Sequence, residues 1–239
     1  MDKDTIKRLI IEYQQFVANI TLIEREIHLS HQLNYVFVGL RRAGKSYLMY
    51  QQIQSLLNDG HQPEEILYFN FEDDRLVNLT VEDLDLIKVS YEELYPHKPI
   101  FFLDEIQIVE HWEKFARRLA DQQYRVYITG SNAKMLSAEI ATTLGGRYIV
   151  QNVYPFSFSE FLKASKIEIG PTWYYKNRTE IVRTFSDYFS YGGLPELMLI
   201  ETIEKRQWLS NLFNKIFFGD LITPVSYTHL RAHETSLHL

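Results

Sequence analysis

The segment that most limits what this chain can become is Gly39-Leu40-Arg41-Arg42-Ala43-Gly44-Lys45-Ser46. It follows a short apolar run, Tyr35 to Val38, which reads as a buried strand. It precedes Lys45 to Asn58, which reads as a helix stopped by Asp59-Gly60. The spacing matches G-x-x-x-x-G-K-[ST], and its chemistry follows from the residue types. The two glycines let the backbone wrap closely round a phosphate, so that N–H groups and a helix N-terminus face the anion. Lys45 is placed to reach the β- and γ-phosphates, and the Ser46 hydroxyl can ligate Mg²⁺. With average residue usage the pattern arises by chance in roughly one chain in a hundred of this length. The strand before it and the helix after it make chance rarer still. ATP and Mg²⁺ are therefore the expected ligands, with contacts from Gly39, Arg42, Ala43, Gly44, Lys45, Ser46 and Tyr47. Arg41 and Arg42 together read best as a solvated pair that adds positive charge to the loop.

Around this loop, apolar runs alternate with helical periodicities. A helix is expected over Thr5 to Val17, capped by Thr5, with Ile6, Leu9, Ile10, Tyr13, Phe16 and Val17 at helical spacing. Further strands are expected over 66–71, 100–103, 125–129 and 147–153. Helices are expected over 81–95 and around Trp112, Phe115, Ala116 and Leu119. Such alternation implies an α/β fold, a parallel sheet with helices on its flanks, and ligands beyond the carboxyl ends of its strands. Polar residues fall at those ends: Gly39 onward, Glu72-Asp73, Asp104-Glu105 and Ser131-Asn132. After Tyr154 strands vanish and aromatics increase, which implies a smaller, mostly helical domain. The expected division is an N-terminal helical segment over 1–30, the nucleotide-binding core over 31–153, the helical domain over 154–223 and a foreign tail over 224–239.

Ile100 to Leu103 delivers Asp104 and Glu105 about 60 residues after the loop. Asp104 is expected to hold the Mg²⁺ shell and Glu105 to orient or activate a water. The bland alternative is an acidic turn on the surface. In Thr129-Gly130-Ser131-Asn132, Ser131 or Asn132 could bond the γ-phosphate or the water, or merely cap a helix. Arg147 is either a structural arginine or a finger that stabilises transition-state charge, in cis or from a neighbouring subunit.

Composition narrows the partners. The net charge of −6 excludes a chain that is basic overall and binds nucleic acid by bulk charge. The chain has 0 cysteines, so disulfides and thiolate metal sites are excluded, which suits a reducing cytoplasm. No apolar run is long enough to span a membrane. The last stretch, Pro224 to Leu239, breaks the preceding pattern and resembles a translated sequencing adapter, so the native C-terminus is expected to lie elsewhere. His229 and His233 stand four apart there, and a metal site on them is the rival reading.

GLRRAGKS, FFLDEIQ, TGSNAKML, LGGR, then Val153-Tyr154-Pro155-Phe156-Ser157-Phe158-Ser159-Glu160-Phe161 and Tyr191-Gly192-Gly193-Leu194-Pro195-Glu196 occur in that order. In this respect the chain resembles the AAA-type family of prokaryotic ATP-binding proteins, over about residues 1 to 222. The resemblance implies an AAA+-like ATPase core, with Lys45, Ser46, Asp104 and Glu105 in their family roles. It also implies a further C-terminal domain that this chain stops short of.

Three functions follow from these residues. The first is an Mg-dependent ATPase whose nucleotide state switches an attached domain or partner, with a homo-oligomer as one arrangement. The second is a module whose protein or DNA binding depends on nucleotide, with incidental turnover. The third, a small-molecule kinase, is disfavoured because Glu105 suits a lytic water and no acceptor pocket is readable.

Overall fold

The computed structural model describes residues 2–76, 79–130, 143–167 and 170–217. The described residues form two compact units, divided between Tyr154 and Pro155.

Five strands build the sheet of the first unit: β1 (Tyr35–Val38), β2 (Ile66–Asn70), β3 (Ile100–Asp104), β4 (Val126–Gly130) and β5 (Ile149–Asn152). They lie in the order β2-β3-β4-β1-β5, and every pairing is parallel. After β1 the chain runs to the far edge at β2 and returns through β3, so that β4 lies between the loop strand and the acid strand. The register sets Val38 beside Gly130 and Asn70 beside Asp104, which levels the carboxyl ends on one edge.

Both faces of the sheet are buried along β1 to β4, which is why those strands are largely apolar instead of alternating, whereas the edge strand β5 is mostly exposed. Val36, Leu67, Phe69, Phe101, Leu103 and Ile128 face one core, with Trp112, Phe115 and Leu119 of helix α4 (Trp112–Asp121). Tyr35, Phe37, Tyr68, Phe102 and Tyr127 face the other, with Leu48, Met49 and Ile53 of helix α2 (Lys45–Asn58). There Phe102 and Tyr127 stack with centroids 4.5 Å apart. Helix α3 (Val81–Leu94) opens with a Thr80–Asp83 capping box.

Helix α1 spans Lys3–Asn19, starting earlier than expected, because Asp2 and not Thr5 caps it and accepts from the Asp4 and Thr5 N–H groups. It lies along the edge strand β2, where Gln14 Nε2 donates to the Ile66 carbonyl at 2.8 Å and so closes part of an open sheet edge.

The second unit contains helices over Phe158–Ala164, Arg178–Tyr191 and Thr202–Ile216. A Ser157–Glu160 capping box starts the first of them, and Leu162, Ile167 and Ile181 form a small core. The Pro224–Leu239 segment, with His229 and His233, lies outside the described residues.

Candidate functional site

The loop after β1 is held in a shape that two glycines permit. A side chain at Gly39 would place its Cβ 2.1 Å from the Val153 carbonyl oxygen, a backbone atom that cannot give way. Gly44 sits at φ 94°, in the left-handed region, and starts α2 with no side-chain cap. The first N–H groups of α2 therefore keep their hydrogen-bonding capacity for an anion.

Lys45 begins α2 and is 4% exposed. Its Nζ donates to the Gly39 carbonyl at 3.2 Å and the Leu40 carbonyl at 3.0 Å. Glu105 Oε1 stands 4.0 Å away. Burial pushes the Lys45 amine below its ordinary pKa, and the carboxylates of Glu105 and Asp104 oppose that shift.

Asp104 ends β3 and is 2% exposed. Its Oδ1 accepts from Ser46 Oγ at 3.1 Å and from Thr129 Oγ1, and its Oδ2 accepts from the Tyr68 hydroxyl at 2.7 Å. Burial pushes its carboxyl above the usual carboxylate range, while these three hydroxyl donors pull the other way. Ser46 and Asp104 present hard oxygen atoms of the kind Mg²⁺ takes, and Mg²⁺ commonly completes its shell with water and phosphate. Among the described residues no cluster of three or more His, Cys, Asp or Glu offers a self-sufficient metal cage.

Glu105 turns out of the strand at φ 56°, left-handed for a residue with a side chain, a geometry that costs of order 1 kcal/mol. Thr129 holds it there: its Oγ1 accepts from the Glu105 N–H at 2.9 Å while donating to Asp104. Gln107 Nε2 donates to Glu105 Oε2. Lys45, Ser46, Asp104 and Glu105 thus come from α2 and the end of β3, and β4 joins them through Thr129.

The other expected site residues are distributed differently. Arg42 lies within the loop at φ 66°, and Ala43 is fully buried. Tyr47 is half exposed with its ring edge-on to Tyr50, at 5.5 Å between centroids. Ser131 and Asn132 lie outside the described residues. Arg147 precedes β5 instead of lying in it as expected. Because Tyr35 pairs with Ile149, that position is the amino-terminal edge of the sheet, at least about 10 Å of strand away from the phosphate loop. There Arg147 Nε donates to Asp121 Oδ1 at 2.5 Å. The strand length of β1 thus separates Arg147 from Lys45 within one chain.

Three further residues, Thr129, Tyr68 and Arg25, bond to Asp104 or to the loop, and none is singled out by the sequence. Thr129 had a signal, its place at the end of β4, but Ser131 and Asn132 just after it read as the stronger polar candidates. Tyr68 reads as one core aromatic among several. Arg25 sits in the charged run Glu24-Arg25-Glu26.

An all-parallel sheet whose loop strand ends in a glycine-bounded turn over a buried lysine, with hydroxyl and carboxylate facing across it, defines a nucleotide-binding ATPase domain of the phosphate-loop class. The AAA domain model matches residues 31–162, and the chain belongs to that family. It is 32% identical over 233 residues to an uncharacterized protein of Methanocaldococcus jannaschii, covering 96% of this chain and 51% of that one. It is 34% identical over 212 residues to an uncharacterized protein of Haemophilus influenzae, covering 84% of this chain and 50% of the other. The chain therefore spans about half the length of these relatives. Among solved structures, Cdc6p from Pyrobaculum aerophilum aligns at TM-score 0.39 and 14% identity, over 69% of this chain and 48% of that one. AMPPCP-bound DnaA from Aquifex aeolicus aligns at TM-score 0.38 and 13% identity, over 82% of this chain and 63% of the other. Among the described residues no helix is long and apolar enough to cross a membrane.

Proposed function

We propose that the chain binds ATP with Mg²⁺ and hydrolyses it to ADP and phosphate, and that its nucleotide state switches an attached domain or partner. The observation that carries this reading is the convergence of Lys45, Ser46, Asp104 and Glu105 at one sheet edge, where Thr129 bonds Asp104 and the Glu105 N–H, Ser46 bonds Asp104, and Lys45 faces Glu105. Loop N–H groups and Lys45 receive the β- and γ-phosphates, Lys45 giving up the carbonyls of Gly39 and Leu40 as it does so. Ser46 and Asp104 would hold Mg²⁺, which when bound would offset the charge of the phosphates. Glu105 accepts a proton from the attacking water. The water oxygen forms its bond to the γ-phosphorus as the bond from that phosphorus to the β–γ bridging oxygen breaks, and ADP leaves.

Arg147 acts in trans in this scheme. It reaches a phosphate only on a second copy, so turnover requires a homo-oligomer. The switch role draws on the second compact unit, which follows directly on the first unit's last residue.

Phosphate release from Mg·ATP tests the reading. Turnover that stops on chelation of Mg²⁺ is the expected result. Absence of both ATP binding and phosphate release, at every protein concentration tried, would overturn it.

A further inference from the structure

Arg25 is a charged residue with an unusual placement. It is 5% exposed, although it lies in the chain between α1 and β1 and belongs to neither. Its main chain is clamped to α2 on both sides, since its N–H donates to Gln51 Oε1 at 2.7 Å and its carbonyl accepts from Gln51 Nε2 at 3.1 Å. The guanidinium also donates to main-chain carbonyls. Nη1 donates to the Ala43 carbonyl at 3.0 Å, and Nη2 donates to the Tyr154 carbonyl at 2.7 Å. One of these oxygens belongs to the phosphate loop itself, and the other follows β5, next to the Val153 carbonyl that packs on Gly39.

The bond to Ala43 has a geometric consequence. A peptide unit is planar and trans, so its C=O and the following N–H point in opposite directions. No cis peptide bond occurs among the described residues. Fixing the Ala43 carbonyl toward Arg25 therefore fixes the Gly44 N–H away from Arg25. Among the described residues no protein group accepts that N–H. Gly44 needs such a constraint more than other residues do, because glycine populates both hands of the backbone with similar ease. A charged donor to a carbonyl is among the stronger neutral-acceptor contacts, and burial leaves no water to replace it.

We infer that Arg25 is a positioning residue of the phosphate loop, which grips the Ala43 carbonyl so that the Gly44 N–H points to where a nucleotide phosphate binds. This rests on the ATP-binding reading for the identity of the ligand, but the orientation of the peptide can be tested without ligand.

The test uses a feature of the sequence. Ala-Gly occurs once in the chain, at Ala43-Gly44. Labelling alanine with ¹³C at the carbonyl and glycine with ¹⁵N therefore isolates the single amide signal of Gly44. Arg25→Met is expected to move that signal in the free protein and to weaken ATP binding at least about tenfold, equivalent to about 1.4 kcal/mol. Arg25→Lys, which can hold one carbonyl but not both, is expected to fall between Arg25→Met and wild type, and it decides the matter if Arg25→Met does not fold. A Gly44 signal that stays in place in the folded variants overturns the inference, even if affinity falls. Wild type that binds no ATP overturns the proposed ligand, and the Gly44 signal then decides by itself whether Arg25 sets the peptide.

Discussion

The two ends of the same sheet hold their charged groups in opposite conditions. At the carboxyl ends Lys45, Asp104 and Thr129 are at most 4% exposed and bonded to one another's neighbours through short, directed contacts. At the amino ends Arg147 pairs with Asp121, with 34% and 54% of the two side chains still in contact with water. A buried charge that loses its partners leaves a large desolvation cost uncompensated, whereas an exposed pair contributes only about 0–1 kcal/mol. The carboxyl edge is thus held by bonds among its own buried groups. The amino edge can exchange Asp121 for another anion at small cost, which suits a residue that works on a neighbouring copy.

The largest effect belongs to the buried edge. Lys45→Ala should abolish detectable ATP binding and turnover, because it removes a cation buried among the loop carbonyls; calorimetric titration with Mg·ATP would show this. Arg147→Ala sharpens the contrast. Turnover per chain should fall about 10³-fold at protein concentrations where wild type is fastest, with ATP affinity retained. If wild-type turnover per chain does not rise with protein concentration, Arg147 has no role in trans and the two edges are not functionally linked. Glu105→Gln should cut turnover about 10²-fold or more while leaving binding close to wild type. Equal losses of affinity and rate would show that Glu105 holds the loop instead of the water.

The smallest effect is on stability. Burial raises the Asp104 pKa in the folded chain, so its favourable contribution is present below the unfolded pKa, about 3.9, and is lost as pH rises through the folded value. Ionising this carboxyl therefore costs the folded chain stability. Asp104→Asn should raise the melting temperature by roughly 2–4 °C at pH 7, on an estimate of about 1 kcal/mol relieved. The gain should shrink as pH is lowered toward 4, and nucleotide turnover should be lost throughout. A melting temperature that falls at pH 7 would mean that the hydroxyl bonds from Ser46, Thr129 and Tyr68 outweigh the burial.

Much of the carboxyl edge could be read from local patterns. The loop spacing, the helix opening at Lys45 and the apolar strand delivering Asp104 are all short-range features, each written within a few residues. Apolar runs bounded by turns also identify strands buried on both faces. What local pattern does not carry is strand order. That β4 lies between β1 and β3 is a property of the assembled sheet, and it makes Thr129 a bridge from Asp104 to the Glu105 main chain. The same limit explains Arg147, whose neighbourhood depends on which end of β5 is level with which end of β1.

By itself the sequence determined the family and pointed to a nucleotide and to the residues expected beside it, because glycine, lysine, hydroxyl and carboxylate at set intervals have few other uses. Tertiary structure decided how those residues are held. Arg25 lies in a charged run and looks solvated, yet it is buried because two carbonyls distant in the chain, Ala43 and Tyr154, meet in space and need a donor between them. Hydrogen bonds of that kind depend on proximity in three dimensions, and only the folded chain supplies it.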